Sequence, residues 1–291
     1  MNKRREFITQ LGLLAAGVAI APSFGCMVMP KSKKFGIQLY SLREQLPKGV
    51  EDVIAKVAKS GYSYVEGYGY SLKNGFWGLS SKEFKILLDK YRLTCPSSHY
   101  DFGAYQQTGD LKIIQEYIDA ANVLGSQYIT VPYMNPEIYK DEAKTRAWLK
   151  QLNVAAKMVK DAGLKLAYHN HDIEFYPLSN NQTAYDILLN GTDPQLVDFE
   201  MDIYWIYVAK QDPLALFKKH PNRFKLWHIK DMNKDNPKIN EIIGKGTIDY
   251  LPILKAAKLS GLKYPIMEQE TFTIDPFESI DQSAKYLNQH L

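Results

Sequence analysis

From residue 35 onward, short apolar runs alternate with longer segments whose apolar positions recur every three or four residues. The short runs predict strands and the longer segments predict helices that lay one apolar stripe on a sheet. Strands are expected at 35–40, 64–67, 93–99, 127–132, 164–169, 196–202, 224–229 and 264–267. Helices are expected at 50–58, 80–91, 111–124, 141–162, 183–189, 213–219, 250–260 and 276–288. Ser81 is the expected cap of the second helix, and Gly125 and Gly163 are placed to end the third and fourth. Eight strand–helix units in roughly 255 residues predict a single-domain (β/α)8 TIM barrel. An open doubly wound sheet would want a glycine-rich first turn, and Ser41-Leu42-Arg43 stands there instead.

The first 26 residues do not follow this alternation. Lys3, Arg4 and Arg5 precede Phe7, and an apolar run spans 11–21, too short to cross a membrane as a mature helix. Residues 1–26 are expected to be an export signal of twin-arginine type, 27–34 a linker and 35–291 the barrel, in a periplasmic protein. Cys26, after Ser23-Phe24-Gly25, offers a lipoprotein site, and a lipid anchor there is the one membrane attachment expected. The only other cysteine is Cys95, so no disulfide framework is implied.

Export also changes the charge argument. The chain carries a formal net charge of +4, but residues 1–34 hold six basic residues against the single acid Glu6, which leaves the body at −1. Such a body has no electrostatic case for binding nucleic acid.

Chemistry-bearing residues collect at the C-terminal ends of the expected strands, where a barrel of this kind keeps its reactive groups. Strand two offers Glu66 and strand three His99. Strand five offers His169 and His171, strand six Glu200 and Asp202, strand seven His228 and Lys230, and strand eight Glu268 and Glu270. Each pair is two residues apart, so both members share a face, and the apolar helix layer would be a costly place for it. The pattern points to a divalent metal site at the barrel mouth, with N and O donors that suit Mn, Zn, Fe or Co. Asp231 reads as a supporting or capping residue after His228, and Asp101 and Asp172 as loop caps. Tyr40, Tyr68, Tyr70, Trp77, Tyr100, Tyr133, Phe175, Tyr204 and Trp205, with Gln38 and Asn170, look like the walls of a carbohydrate pocket.

Several motifs, in this order, resemble the sugar phosphate isomerase/epimerase family of xylose-isomerase-like TIM barrels. They are GIQLYSLRE, YHNHDIEF, MDIYW, HIKD, GKGTIDY and MEQE. The resemblance implies one divalent ion (Mn, Zn, Co or Mg) held by residues of strands five to eight: here Asp202, His228, Glu268 and a strand-five ligand. Many relatives carry Glu at that strand-five position. This chain has His169 there, with Glu174 the nearest carboxylate. Glu174 is taken as the ligand, with His169 and His171 facing substrate. The alternative is His169 itself, which would make the site less anionic.

The chemistry implied is removal of a proton beside a carbonyl through an enediolate. His171, His169, His99 and Glu270 are the candidates for proton transfer, Lys230 would polarise an oxygen, and Gln38, Glu66, Asn170 and Trp205 would bind substrate. An isomerase or epimerase of an unphosphorylated keto sugar is expected first. A lyase, dehydratase or hydratase of a 3-keto sugar or inosose comes second, and a non-catalytic exported sugar-binding protein third.

Overall fold

The computed structural model describes residues 34–178 and 181–291. The expected signal and Cys26 lie outside them.

The strands are β1 (Gly36–Gln38), β2 (Tyr64–Gly67), β3 (Thr94–His99), β4 (Tyr128–Val131), β5 (Lys165–His169), β6 (Val197–Asp202), β7 (Phe224–Ile229) and β8 (Tyr264–Met267). All pair in parallel in sequence order, and β1 closes the barrel on β8 through the register Gly36↔Ile266. The β2 to β8 strands fall within a residue or two of the expected ranges. β1 is shorter, because the Gln38 side chain accepts the Tyr40 N–H and turns the chain into a 3-10 helix at Leu39–Leu42.

The helix Val50–Lys59 buries Val53, Ile54 and Val57 against the barrel, the stripe its spacing predicts. The helix Ser81–Lys90 is capped by Ser80 rather than Ser81. The Ser80 hydroxyl accepts the Glu83 N–H, and the Glu83 carboxylate accepts the Ser80 N–H, forming a reciprocal capping box. Gly125 ends Leu111–Leu124 in the left-handed region at φ 69°, a conformation that favours glycine. The expected last-but-one helix breaks at Ala256 into Tyr250–Lys255 and Ala257–Ser260. Two six-residue helices, Gly103–Thr108 and Ile203–Val208, are additions to the expected set.

Period-two alternation sets what fills the barrel. Tyr64, Tyr128, Ala167, Leu226 and Ile266 form an apolar cluster separate from the main core. Four of these stand two residues before Glu66, His169, His228 and Glu268, on the same face of their strands. The Tyr64 hydroxyl donates to the Pro265 carbonyl and the Tyr128 hydroxyl to Asp198. An apolar plug thus closes the barrel below the polar residues, and the polar residues face the open end.

Candidate metal centre

Two residues further along each strand, the interior changes from apolar to ionisable. His169, Asp202, His228 and Glu268 place one donor atom each within 4.8 Å of one another, and all four are buried. His169 Nε2 lies 3.5 Å from Asp202 Oδ2, and His228 Nδ1 lies 2.9 Å from Glu268 Oε2. A second group, Glu66, His99, Glu200 and His228, gathers at the other ring nitrogen of His228. There His228 Nε2 is 2.7 Å from Glu66 Oε2, and His99 Nε2 is 2.7 Å from Glu200 Oε2. The shared parity of 200 with 202 and of 228 with 230 holds throughout this layer.

The orientation of the first group suits a cation. His169 Nδ1 lies 3.1 Å from the Pro132 carbonyl, which can only accept, so Nδ1 carries a proton, and in the neutral ring Nε2 keeps its lone pair. That Nε2 is buried and has no hydrogen-bond partner among the described residues. Asp202 Oδ1 accepts the Trp205 N–H at the start of Ile203–Val208, which leaves Oδ2 turned toward the group. Two imidazole nitrogens and two carboxylate oxygens make a donor set that fits a divalent ion. His169, Asp202, His228 and Glu268 are the residues that would hold it.

Glu174 does not join this group. The short turn Ile173–Phe175 carries its carboxylate back under the loop, where it accepts the Tyr168 hydroxyl at 2.9 Å and the His171 N–H at 3.0 Å. Burial pushes this carboxyl up to about 7 against those hydrogen bonds. Of the two strand-five candidates, it is His169 that stands beside Asp202.

Lys230 is buried and ion-paired to Asp202 (3.0 Å), Glu268 (2.8 Å) and Glu270 (2.6 Å). Burial alone would lower its ammonium, but these three carboxylates outweigh that and hold it charged. Burial likewise pushes the Asp202 carboxyl up, and Lys230, with His169 and His228, brings it down to about 2.

Above the group opens a pocket of about 370 Å³ lined by Tyr40, Tyr68, Tyr70, Asp101 and Tyr133 together with His99, His169, His171, Glu268 and Glu270. His171 and His99 differ in charge. Burial, reinforced by His169 and Lys230, holds His171 well below the usual imidazole range, so it is neutral. Burial acts the same way on His99, but Glu66 and Glu200 overcome it and raise the ring to about 9.

The other expected substrate contacts lie deeper. Gln38 Nε2 donates to Glu66 Oε2 at 2.8 Å, and both side chains are fully buried below the mouth. Asn170 brackets the Asp202 backbone, accepting its N–H at 3.2 Å and donating to its carbonyl at 3.4 Å. Trp205 packs 5.4 Å from the His171 ring. Tyr100, Phe175 and Tyr204 belong to the core, while Trp77 backs Tyr68. Asp101 accepts the Gly103 N–H, as a loop cap should, and also lines the pocket. Asp231 is a loop anchor: its carboxylate accepts the N–H groups of Met232, Gly244, Gly246 and Ile248. Glu200 was visible as a strand-end carboxylate but had no assigned role, and the Pro132 carbonyl gave no signal beyond ending strand four.

A family model described as xylose isomerase-like TIM barrel matches residues 54–290. The chain belongs to the xylose isomerase-like TIM barrel family. Among members of known sequence, it is 26% identical over 212 residues to an inosose dehydratase of Clostridium tetani, covering 66% of this chain and 68% of that one. It is 25% identical over 219 residues to an inosose dehydratase of Clostridium perfringens, covering 64% and 71%. A solved sugar phosphate isomerase/epimerase from Parabacteroides distasonis superposes with a TM-score of 0.79 at 28% identity, over 90% of this chain and 95% of that one. Both names are used within one family fold, so the choice between their chemistries falls to the residues in the pocket.

Proposed function

We propose that this member of the xylose isomerase-like family is a metal-dependent lyase. In this reading it removes the proton next to the carbonyl of an unphosphorylated polyhydroxy ketone and expels an oxygen substituent from the adjacent carbon. The observation that carries the proposal is the orphaned His169 Nε2, with the ring proton held on Nδ1, beside Asp202, His228 and Glu268 at the floor of a sugar-sized pocket. When bound, a divalent ion there supplies Lewis-acid stabilisation of the negative charge that develops on substrate oxygens.

The chain's own groups divide the proton work. His171 is neutral and its Nδ1 is buried without a partner, which suits a base. His99 lines the same pocket as an imidazolium clamped by Glu200 and Glu66, which suits an acid for the departing oxygen. Two groups of one kind pushed apart in protonation are the mark of an acid–base pair. Elimination and epimerisation both need such an unequal pair, and the lyase is preferred because the curated relatives matched over about two thirds of their length are named dehydratases.

Phosphate is disfavoured because no Lys or Arg is among the described residues that line the pocket, and neighbouring Arg43 is engaged with the Tyr40 and Glu270 carbonyls. An unphosphorylated substrate accords with the export proposed for the chain. Intact mass of the secreted protein checks that part, and retention of residues 1–26 would overturn it.

A second reading, epimerase or isomerase, is favoured by the Parabacteroides neighbour and begins with the same proton removal. Metal-loaded protein in heavy water, offered inososes and 3-keto sugars, separates them. Deuterium uptake with a conjugated enone absorbance supports the lyase. Enone without uptake also supports the lyase, because the oxygen can leave before a proton returns; uptake with only an epimer or isomer supports the second reading, and neither enone nor exchange with any of them removes both and leaves sugar binding. His171→Gln should lower kcat by about 10²–10⁴-fold and keep the metal.

A further inference from the structure

His228 is fully buried, and its two ring nitrogens face two different carboxylates: Nδ1 is 2.9 Å from Glu268 Oε2, and Nε2 is 2.7 Å from Glu66 Oε2. Only Nδ1 looks toward Asp202, 3.9 Å from its Oδ2. A neutral imidazole has one N–H and one lone pair, so a ring that offers Nδ1 to a cation must donate from Nε2. We infer that Glu66 is the positioning residue that selects this tautomer, accepting the Nε2–H of His228 and so aiming the Nδ1 lone pair at the metal group. The inference rests on the metal site proposed above.

Glu66 is itself held in place. Gln38, directly opposite it in the β1–β2 register, donates to the same Oε2, and the other end of the Gln38 amide is tied to the Tyr40 N–H. His99 Nε2 approaches Glu66 Oε2 at 3.3 Å from a ring stacked on that of His228, with centroids 5.3 Å apart and planes 19° from parallel. His99 is in turn drawn to Glu200 at 2.7 Å. Carboxylate partners of this kind fix ring orientation and raise ligand basicity in metal-binding histidines generally. The competing occupant of the lower group is a second cation, which Glu66 Oε1 and Glu200 Oε1, both without partners, would also serve. That arrangement would need a lone pair on His228 Nε2, the nitrogen assigned here as a donor.

The test uses the full chain loaded with Zn. An imidazole proton–nitrogen correlation spectrum should show His228 bound through Nδ1 and protonated at Nε2. Competition with a chromophoric chelator should show Zn held about 10–100-fold more weakly by Glu66→Leu, with a smaller loss in the isosteric Glu66→Gln. Unfolding temperatures report whether either variant has lost the fold, and Glu66→Gln decides the matter if Glu66→Leu has. One ion that is lost in Asp202→Asn but held through Nε2, or held with wild-type affinity in the folded Glu66 variants, overturns the inference and leaves the proposed site intact. Two ions per chain overturn it in favour of a second cation site. No ion in the wild type overturns both.

Discussion

Glu174 shows how a residue with no place at the metal group still leaves a measurable trace. Its carboxyl is raised by burial from the ordinary 4.5 to about 7, so the folded state holds the proton more tightly than the unfolded one. Its contribution to stability is therefore full below about pH 4.5 and is lost as pH rises toward about 7, with a limiting slope of about 1.4 kcal/mol per pH unit. The difference in unfolding free energy between metal-free wild type and Glu174→Gln, followed from pH 4 to 8, should fall with rising pH across that window. A flat difference would mean that Glu174 is ionised in the fold. At this scale, parity made the site legible: residues two apart had to share a face whatever the tertiary structure. Depth was not legible, which is why Gln38 and Glu66 were expected at substrate and are found outside the pocket lining, fully buried and bonded to each other.

At the scale of elements, the loop after β7 is organised around one carboxylate. Asp231 satisfies four backbone N–H groups, and the chain passes so close that a Cβ on Gly246 would stand 2.2 Å from Asp231 Oδ1 and 2.4 Å from the Met232 carbonyl. Gly246 is required for room rather than for an unusual backbone angle. Asp231→Ala should cost about 2–4 kcal/mol by leaving these donors unpaired. Gly246→Ala should cost about 1–3 kcal/mol through the clash. Chemical denaturation measures both, and a neutral result for Gly246→Ala would show that the loop can move aside. The long helices and most strands were legible because their periodicity runs over many residues. The helices Gly103–Thr108 and Ile203–Val208 were not, because six residues give under two turns of pattern. In the second case the expected ligand Asp202 doubles as the N-cap.

For the whole molecule, the count of strand–helix units was enough to predict a closed barrel, because eight parallel strands with helical crossovers have few other ways to bury both faces. Which strand-five residue stands beside Asp202 was not readable, since it depends on where the turn after β5 sends Glu174. A cation bound only by the folded chain must raise global stability. Metal at 100 times its Kd should add about 2.7 kcal/mol to the unfolding free energy, an increment absent in Asp202→Asn. A thermal melt with and without Mn, Co or Zn reads it directly.

The apolar plug of Tyr64, Tyr128, Ala167, Leu226 and Ile266 has a further consequence for traffic through the molecule. With the barrel filled from behind, the pocket is approached from the C-terminal end of the strands. On the proposed function, an ion would have to arrive before the sugar that covers it, and spent product would have to back out before a fresh molecule could enter.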